Sequence, residues 1–339
     1  MPLRLLAATL ILMFAVSCGG RPFAEGSSRE LTLVTSLPPD APEILLLRAI
    51  VERTAIRIDD ETAYVVRTVG PDDARAYRAR NVVLVGYGGA RAIPKPFRRL
   101  HAAWAARAHE AAAKHAKGEG AGEGAAPYVF TPDVWLRGQT AGLVWTETRE
   151  AWIPAVTSSQ NRLFQALDRA TFAGVRERLL ALPRAEAIER ELEEALGVAL
   201  RVPRGMHLHL DRGRHAALLI EEGPPARLLR LRVTGEPPPV DVRAAREALA
   251  RIFRPDERTL DVSEPLLSPD VMSGATRQSH GRWEDAAVSA AGPYRYYEVT
   301  KGTMRIQVDL AVFAPGRPKL PYLRELHAIA ETIAPARGG

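Results

Sequence analysis

Two hydrophobic periods run through the chain, and they predict alternating strands and helices. In the first half, Leu31 to Ser36 reads as a short strand stopped by Pro38 and Pro39. Asp40 is placed to cap a helix in which Ile44, Leu47, Ile50 and Val51 recur at helical spacing through about Ile56. Tyr64 to Val69 is the next strand, and Asp72 to Arg80 fits a short helix. Asn81 to Tyr87 is almost entirely apolar, as expected of a strand buried on both faces. Residues 96–117 form an alanine-rich helical pattern that ends in the glycine-rich run Gly118 to Gly124. Val129–Leu136 and Thr140–Thr146 read as strands around Gly138. Glu150 to Leu182 is a long helical pattern with an expected break near Thr157-Ser158-Ser159. Pro183 is the best single boundary in the chain.

The second half opens with an acidic helix, Arg184 to Leu196, with Ile188, Leu192 and Leu196 on one face. Gly197 closes it in the usual C-terminal cap position. Strands follow at Val198–Val202, Gly205–Leu210, His215–Glu221 and Leu228–Val233, then the stiff connector Pro237-Pro238-Pro239. A helix over Val240–Phe253 comes next. Antiparallel strands over Met272–Trp283, Tyr294–Val299 and Met304–Phe313 follow, and a last helix spans Pro321–Ile333. No repeat recurs at a fixed period. The pattern predicts an α+β protein of two lobes, residues 31–183 and 184–335, each a mostly antiparallel sheet with packed helices.

Composition changes this picture little. With 339 residues, 46% hydrophobic and 25% charged, the chain has a soluble-globular balance that excludes whole-chain disorder and multi-span membrane classes. A net charge of +6 is too small to imply a nucleic-acid partner by itself, and none is expected.

The N-terminus says more. Met1 to Arg4 carries one positive charge, Leu5 to Val16 is apolar, and Ser17-Cys18 follows, as in a secretory signal. The apolar run is too short for a membrane span. Ala15-Val16-Ser17-Cys18 resembles the bacterial lipobox, with Ala15 where leucine is most common. That resemblance implies lipid on the Cys18 thiol, removal of residues 1–17 and acylation of the new amino group. The alternative is a plain secreted protein cut near the same place. Each buried methylene of an acyl chain contributes about 0.8 kcal/mol, so two or three chains make a stable anchor. Cys18 is the only cysteine, which excludes an intramolecular disulfide. Residues 18–30 read as a flexible tether. Gly19, in place of the aspartate that retains lipoproteins in the inner membrane, points to the periplasmic face of the outer membrane.

Several segments resemble an uncharacterised bacterial lipoprotein family, catalogued as domain of unknown function 4837. They are Leu200-Arg-Val-Pro-Arg-Gly205, His280-Gly-Arg-Trp283, Gly292-Pro-Tyr294, Val308-Asp-Leu-Ala-Val-Phe-Ala-Pro315 and Tyr322-Leu-Arg-Glu-Leu-His-Ala-Ile329. Asn81-Val-Val-Leu-Val85 and Asp133-Val-Trp-Leu-Arg-Gly-Gln139 are similar to segments of its first half. The span between Val85 and Asp133 is longer than usual there. The resemblance implies an envelope lipoprotein of a Bacteroidetes-like or related Gram-negative bacterium. It brings no catalytic residues with it.

Candidate chemistry is sparse. Trp283, Tyr294, Phe313 and Tyr322 are large aromatics whose default is core packing, with a binding groove as the alternative. Arg91, Lys95, Arg98, Arg99, Arg107, Lys114 and Lys117 form a basic stretch against the single acid Glu110. With Phe97, Leu100 and Trp104 on the same helix, it could touch anionic lipid headgroups; a solvated helix is the plain alternative. His207 and His209 alternate with leucine on one strand face. A two-residue turn at Arg212-Gly213 sends His215 to the opposite face; a three-residue loop brings all three imidazoles beside Asp211. Gly86-Tyr-Gly-Gly89 follows a buried strand but completes no phosphate-binding fingerprint, and no hydrolase, zincin or calcium-loop motif occurs. No catalytic residue, metal or cofactor is therefore expected.

The candidate binding residues are Trp283, Tyr294, Phe313, Arg98, Arg99 and Trp104, beside the lipidation site Cys18. The expected role is non-enzymatic: binding or assembly in the periplasm, held to the membrane by the N-terminal lipid, with an envelope protein as partner. The alternative is an envelope hydrolase or small-ligand receptor with its site between the lobes. A cleft with converging polar groups would favour that alternative, and a flat apolar patch would favour assembly.

Overall fold

A computed structural model describes residues 21–56, 61–116, 126–235, 239–263, 272 and 274–336. The signal segment and Cys18 lie outside these residues, as do the Gly118–Gly124 run and most of the proline connector.

The first half contains β1 (Glu30–Val34), α1 (Pro42–Val51), the hairpin β2 (Thr54–Ile56) and β3 (Glu61–Thr62), and β4 (Val65–Val69). It continues with β5 (Asn81–Tyr87), α2 (Arg98–Ala116), β6 (Tyr128–Pro132), β7 (Thr140–Thr146) and α3 (Arg149–Leu180). Five strands form a sheet in the order β4-β1-β5-β7-β6. The α+β class holds, but the expected antiparallel pairing does not hold in this sheet. β1 runs parallel to both β4 and β5, β5 runs parallel to β7, and only β6 is antiparallel. The reason lies in the connections. α1 carries the chain across from β1 to β4, and a helical crossover brings the next strand back in the same direction. β5 and β7 are accordingly buried on both faces. Leu31, Leu33, Val83 and Val85 face α1 and α3, while Val82, Leu84, Ala141 and Leu143 face Phe97 and Leu100 beside and on α2.

Local departures have local causes. Ala41, not Asp40, precedes α1, with Pro42 in the first turn. The short helix expected over 72–80 is one 3-10 turn, Ala76–Arg78. α3 runs unbroken through Thr157-Ser158-Ser159, because the hydroxyls of Ser158 and Ser159 bond back to the Ala155 carbonyl at 3.0 and 2.7 Å and leave the backbone ladder intact.

The second half contains α4 (Glu186–Leu196), β8 (Val198–Ala199), β9 (His207–Asp211), β10 (Ala216–Glu221), β11 (Ala226–Thr234), α5 (Val242–Ala250) and β12 (Glu257–Thr259). It ends with β13 (Ala275–Asp285), β14 (Ala290–Lys301), β15 (Met304–Phe313), α6 (Leu320–Ala330) and β16 (Ala334–Pro335). Here the antiparallel expectation holds: seven strands pair in the order β12-β13-β14-β15-β11-β10-β9, each antiparallel to its neighbours. Gly197 caps α4 with φ +66°, the left-handed conformation read from the sequence.

α4, α6 and the C-terminal end of α3 cover one face of this sheet, where Leu192, Leu326, Val175 and Leu179 join Val308 and Leu310. α5 covers the other face, with Ala245 and Leu249 against Trp283, Tyr294 and Tyr296. Beneath α5 lie four fully buried charges. Arg230 pairs with Glu257 and Asp309, and Arg246 pairs with the same two carboxylates at 2.5 and 3.0 Å. Burial alone would lower the Arg246 pKa; Asp309 and Glu257 more than offset this and hold it above its ordinary value.

Three contacts clamp the halves together. Glu61, from the β2–β3 hairpin, accepts the backbone N–H groups of Lys319 (2.7 Å) and Leu320 (3.0 Å) and so caps α6. Asp168 on α3 pairs with Arg324 on α6 and accepts from the Tyr64 hydroxyl at 2.9 Å. Arg324 also donates to the Ser28 carbonyl at 3.1 Å. No helix among the described residues is long and apolar enough to cross a membrane.

Candidate functional site

A cleft of about 520 Å³ opens above this clamp, between the β2–β3 hairpin and α3 of the first half and the seven-stranded sheet of the second. The first half contributes Arg53, Thr54 and Ala55 from the end of α1 into β2, Ala63 after β3, and Phe164 and Asp168 from α3. The second half contributes one face of β13 and β14. Alternation along a strand puts Gln278, His280 and Arg282 on that face, and the register sets them opposite Tyr297, Arg295 and Pro293. Leu320, Leu323 and Arg324 of α6 close the cleft below.

The rim is a strap, Leu260 to Ser263, that extends β12 along the edge of β13. Leu260 N–H donates to the Arg282 carbonyl at 2.8 Å. Ser263 and His280 exchange backbone hydrogen bonds at 2.8 and 3.1 Å. Gly281 permits this approach, since a Cβ there would collide with the Asp261 carbonyl oxygen. The Tyr294 hydroxyl donates to the same carbonyl at 2.9 Å. Burial pushes the Tyr294 phenol up to about 12, so it stays protonated near neutral pH.

The lining is strongly basic. Among the described residues it holds five arginines (53, 243, 282, 295 and 324), His280 and two carboxylates. Asp168 is committed to Arg324 and Tyr64, and Asp261 lies 3.7 Å from Arg282. Arg295 is buried in β14, whereas Arg243 and Arg282 are exposed at the mouth. Arg53 donates to the Ile50 carbonyl at 2.8 Å, and its guanidinium lies 3.8 Å from the centre of the Phe164 ring. Burial lowers its pKa, partly countered by Asp168. Phe164, Leu320, Leu323 and Tyr297 give the same cleft an apolar side.

The residues singled out from sequence fall elsewhere. Trp283 and Tyr294 are buried under α5, and Phe313 is half-buried against the same core; Tyr294 also borders the cleft. Arg98 and Arg99 are exposed in the first turn of α2. Trp104 is half-buried against the first sheet, and its Nε1 donates to the Ala126 carbonyl at 3.1 Å. α2 lies on the face opposite α1 and α3, so these three do not meet the aromatics of the second half.

The histidine hairpin adopts neither register weighed above. Asp211 pairs with Ala216, which leaves His215 in the connection at φ +48°. His207 and His209 are exposed, and no cluster of metal-ligating residues occurs among the described residues.

The cleft arginines were missed because they come from points some 270 residues apart with no shared spacing. One local signal existed: Arg295 interrupts the aromatic run Tyr294-Arg-Tyr-Tyr297 inside a predicted strand. A charge there needs a polar surface to face. Comparison with protein-family models and with curated proteins gives no match.

Proposed function

We propose that this protein is a lipid-anchored component of the cell envelope that binds a small ligand in the cleft between its two halves. The cleft carries this reading. Its volume lies within the range of about 300–1,000 Å³ common to small-molecule sites, and polar groups from both halves converge on it beside apolar walls. The large apolar side chains that stay exposed, among them Leu45, Val65, Ile153 and Val288, lie on separate elements and lend less support to an assembly role. Guanidinium groups do not exchange protons near neutral pH, so this lining is suited to hold a charged group rather than to move protons. The N-terminal lipobox resemblance supplies the anchor at Cys18, on the periplasmic face of the outer membrane. The flexible tether expected over residues 18–30 does not extend through residues 23–28, where Phe23 and Glu25 bridge to Arg137 and Ala79 and Ser28 is buried.

Purification of the full chain from detergent-solubilised membranes, followed by native mass spectrometry, tests both parts. A small molecule retained at one per chain is expected. A protein partner at equal stoichiometry with no small molecule would overturn the receptor reading. Cys18→Ala should move the protein to the soluble fraction; continued fractionation with membranes would overturn the lipid anchor.

A further inference from the structure

We infer that the cleft takes an amphipathic anion: a small molecule whose phosphate, sulfate, sulfonate or carboxylate group is joined to an apolar body. This inference rests on reading the cleft as a ligand site, and it adds the chemical class. Among the described lining residues guanidinium groups outnumber carboxylates by three. The deeper carboxylate, Asp168, is already neutralised by Arg324 inside the clamp. The excess positive charge therefore faces the cleft itself, with Arg53 on one wall and Arg243 at the mouth of the other.

A concave site with low-dielectric walls concentrates such a field. It favours entry of an anion and disfavours a cation of the same size. The planar fork of arginine matches the paired oxygens of an oxyanion, and such charge-assisted hydrogen bonds are roughly twice as strong as neutral ones. A bare oxyanion would leave most of the 520 Å³ unfilled. Phe164, Leu320 and Leu323 offer the remainder to an apolar group whose burial is favourable by about 25 cal/mol per Å². Charge and apolar surface share one cavity, so the ligand should carry both.

The test uses titration calorimetry on the detergent-solubilised full chain, with empty micelles as the blank. Three probes separate the contributions: 2-naphthalenesulfonate, neutral 2-naphthol and inorganic sulfate. The sulfonate should bind at one per chain and about tenfold or more tighter than either other probe. Arg243→Glu and Arg282→Glu, both exposed at the mouth, should each weaken the sulfonate about tenfold and leave 2-naphthol unchanged.

If 2-naphthol binds as well as the sulfonate, or the charge reversals change nothing, the anionic class is wrong while the cleft still stands as a site. If sulfate alone binds as tightly as the sulfonate, the apolar part of the inference is wrong. Thr54→Trp with Val262→Trp narrows the mouth from both lips. If no probe binds, or if this variant binds the sulfonate unchanged, the cleft reading fails with it.

Discussion

Arg246→Met should destabilise the protein by about 3–5 kcal/mol, the usual cost of removing one partner from a buried ion pair. The structure makes the upper part of that range reasonable. Arg246, Arg230, Glu257 and Asp309 are all fully buried, and their charges cancel. Without Arg246 two carboxylates share one guanidinium in a site that water does not reach. Arg246 also donates to Thr259 Oγ1 at 3.0 Å and lies 4.2 Å from the centre of the Tyr294 ring, so the loss is not confined to Coulomb attraction. At about 2.1 cal/mol/K per residue, a chain of 339 residues loses about 1.4 °C of melting temperature per kcal/mol. The expected drop is therefore about 4–7 °C by calorimetry, with a matching fall in urea midpoint.

The reasoning can be separated from simple loss of packing. Glu257→Gln added to Arg246→Met leaves Arg230 facing Asp309 alone and restores the balance of charge. The double variant should be more stable than the sum of the two single losses predicts, by about 1–3 kcal/mol. A single loss below about 1 kcal/mol, or strict additivity, would refute the argument that charge balance under α5 governs this site.

Gly281→Ala should push the Leu260–Ser263 strap off β13 at a cost of about 1–3 kcal/mol, seen as faster amide exchange at Ser263 and His280; unchanged exchange would show that the strap is not wedged on the glycine. Glu61→Ala removes the carboxylate cap of α6 and should cost about 1–2 kcal/mol in urea unfolding, with no loss expected if water caps the helix equally well. Alkaline pH should destabilise the fold. Below pH 10 the Tyr294 phenol is protonated in both states; from there to about 12 the unfolded chain ionises while the folded one resists, so stability falls as pH rises. Tyr294→Phe should flatten that fall, and an unaltered pH profile would count against it.

Most elements were legible because each rests on a local signal. Apolar spacing marked α1, α4 and α6, Gly197 marked a helix end, and the apolar and aromatic runs of β13 to β15 marked antiparallel strands. Strand direction in the first sheet was not legible in that way. β5 had the doubly buried character typical of parallel sheets, but direction is set by the crossover helix and by which strand it returns to. Trp283 and Tyr294 drew attention by size, and size is what places them under α5. The cleft is the opposite case. Its arginines stand out only once β13 folds beside β14 and α6 docks on α3. In a chain with 41 arginines, these five carry no signal of their own.

α3 has a mechanical consequence. Its 32 residues make a rod about 48 Å long. The N-terminal part, with Trp152, Val156 and Leu163, is sealed into the core of the first sheet, and Val175 and Leu179 are sealed into the core of the second. Cutting the chain after this helix would strip the second core of Val175 and Leu179, and cutting before it would leave that face of the first sheet with α1 as its remaining helix. The two halves are thus expected to melt together, in one calorimetric peak, and a protease should find no stable half to release. A rod shared by both walls also keeps their spacing, so a ligand entering the cleft meets a site already formed and loses little affinity to rearrangement.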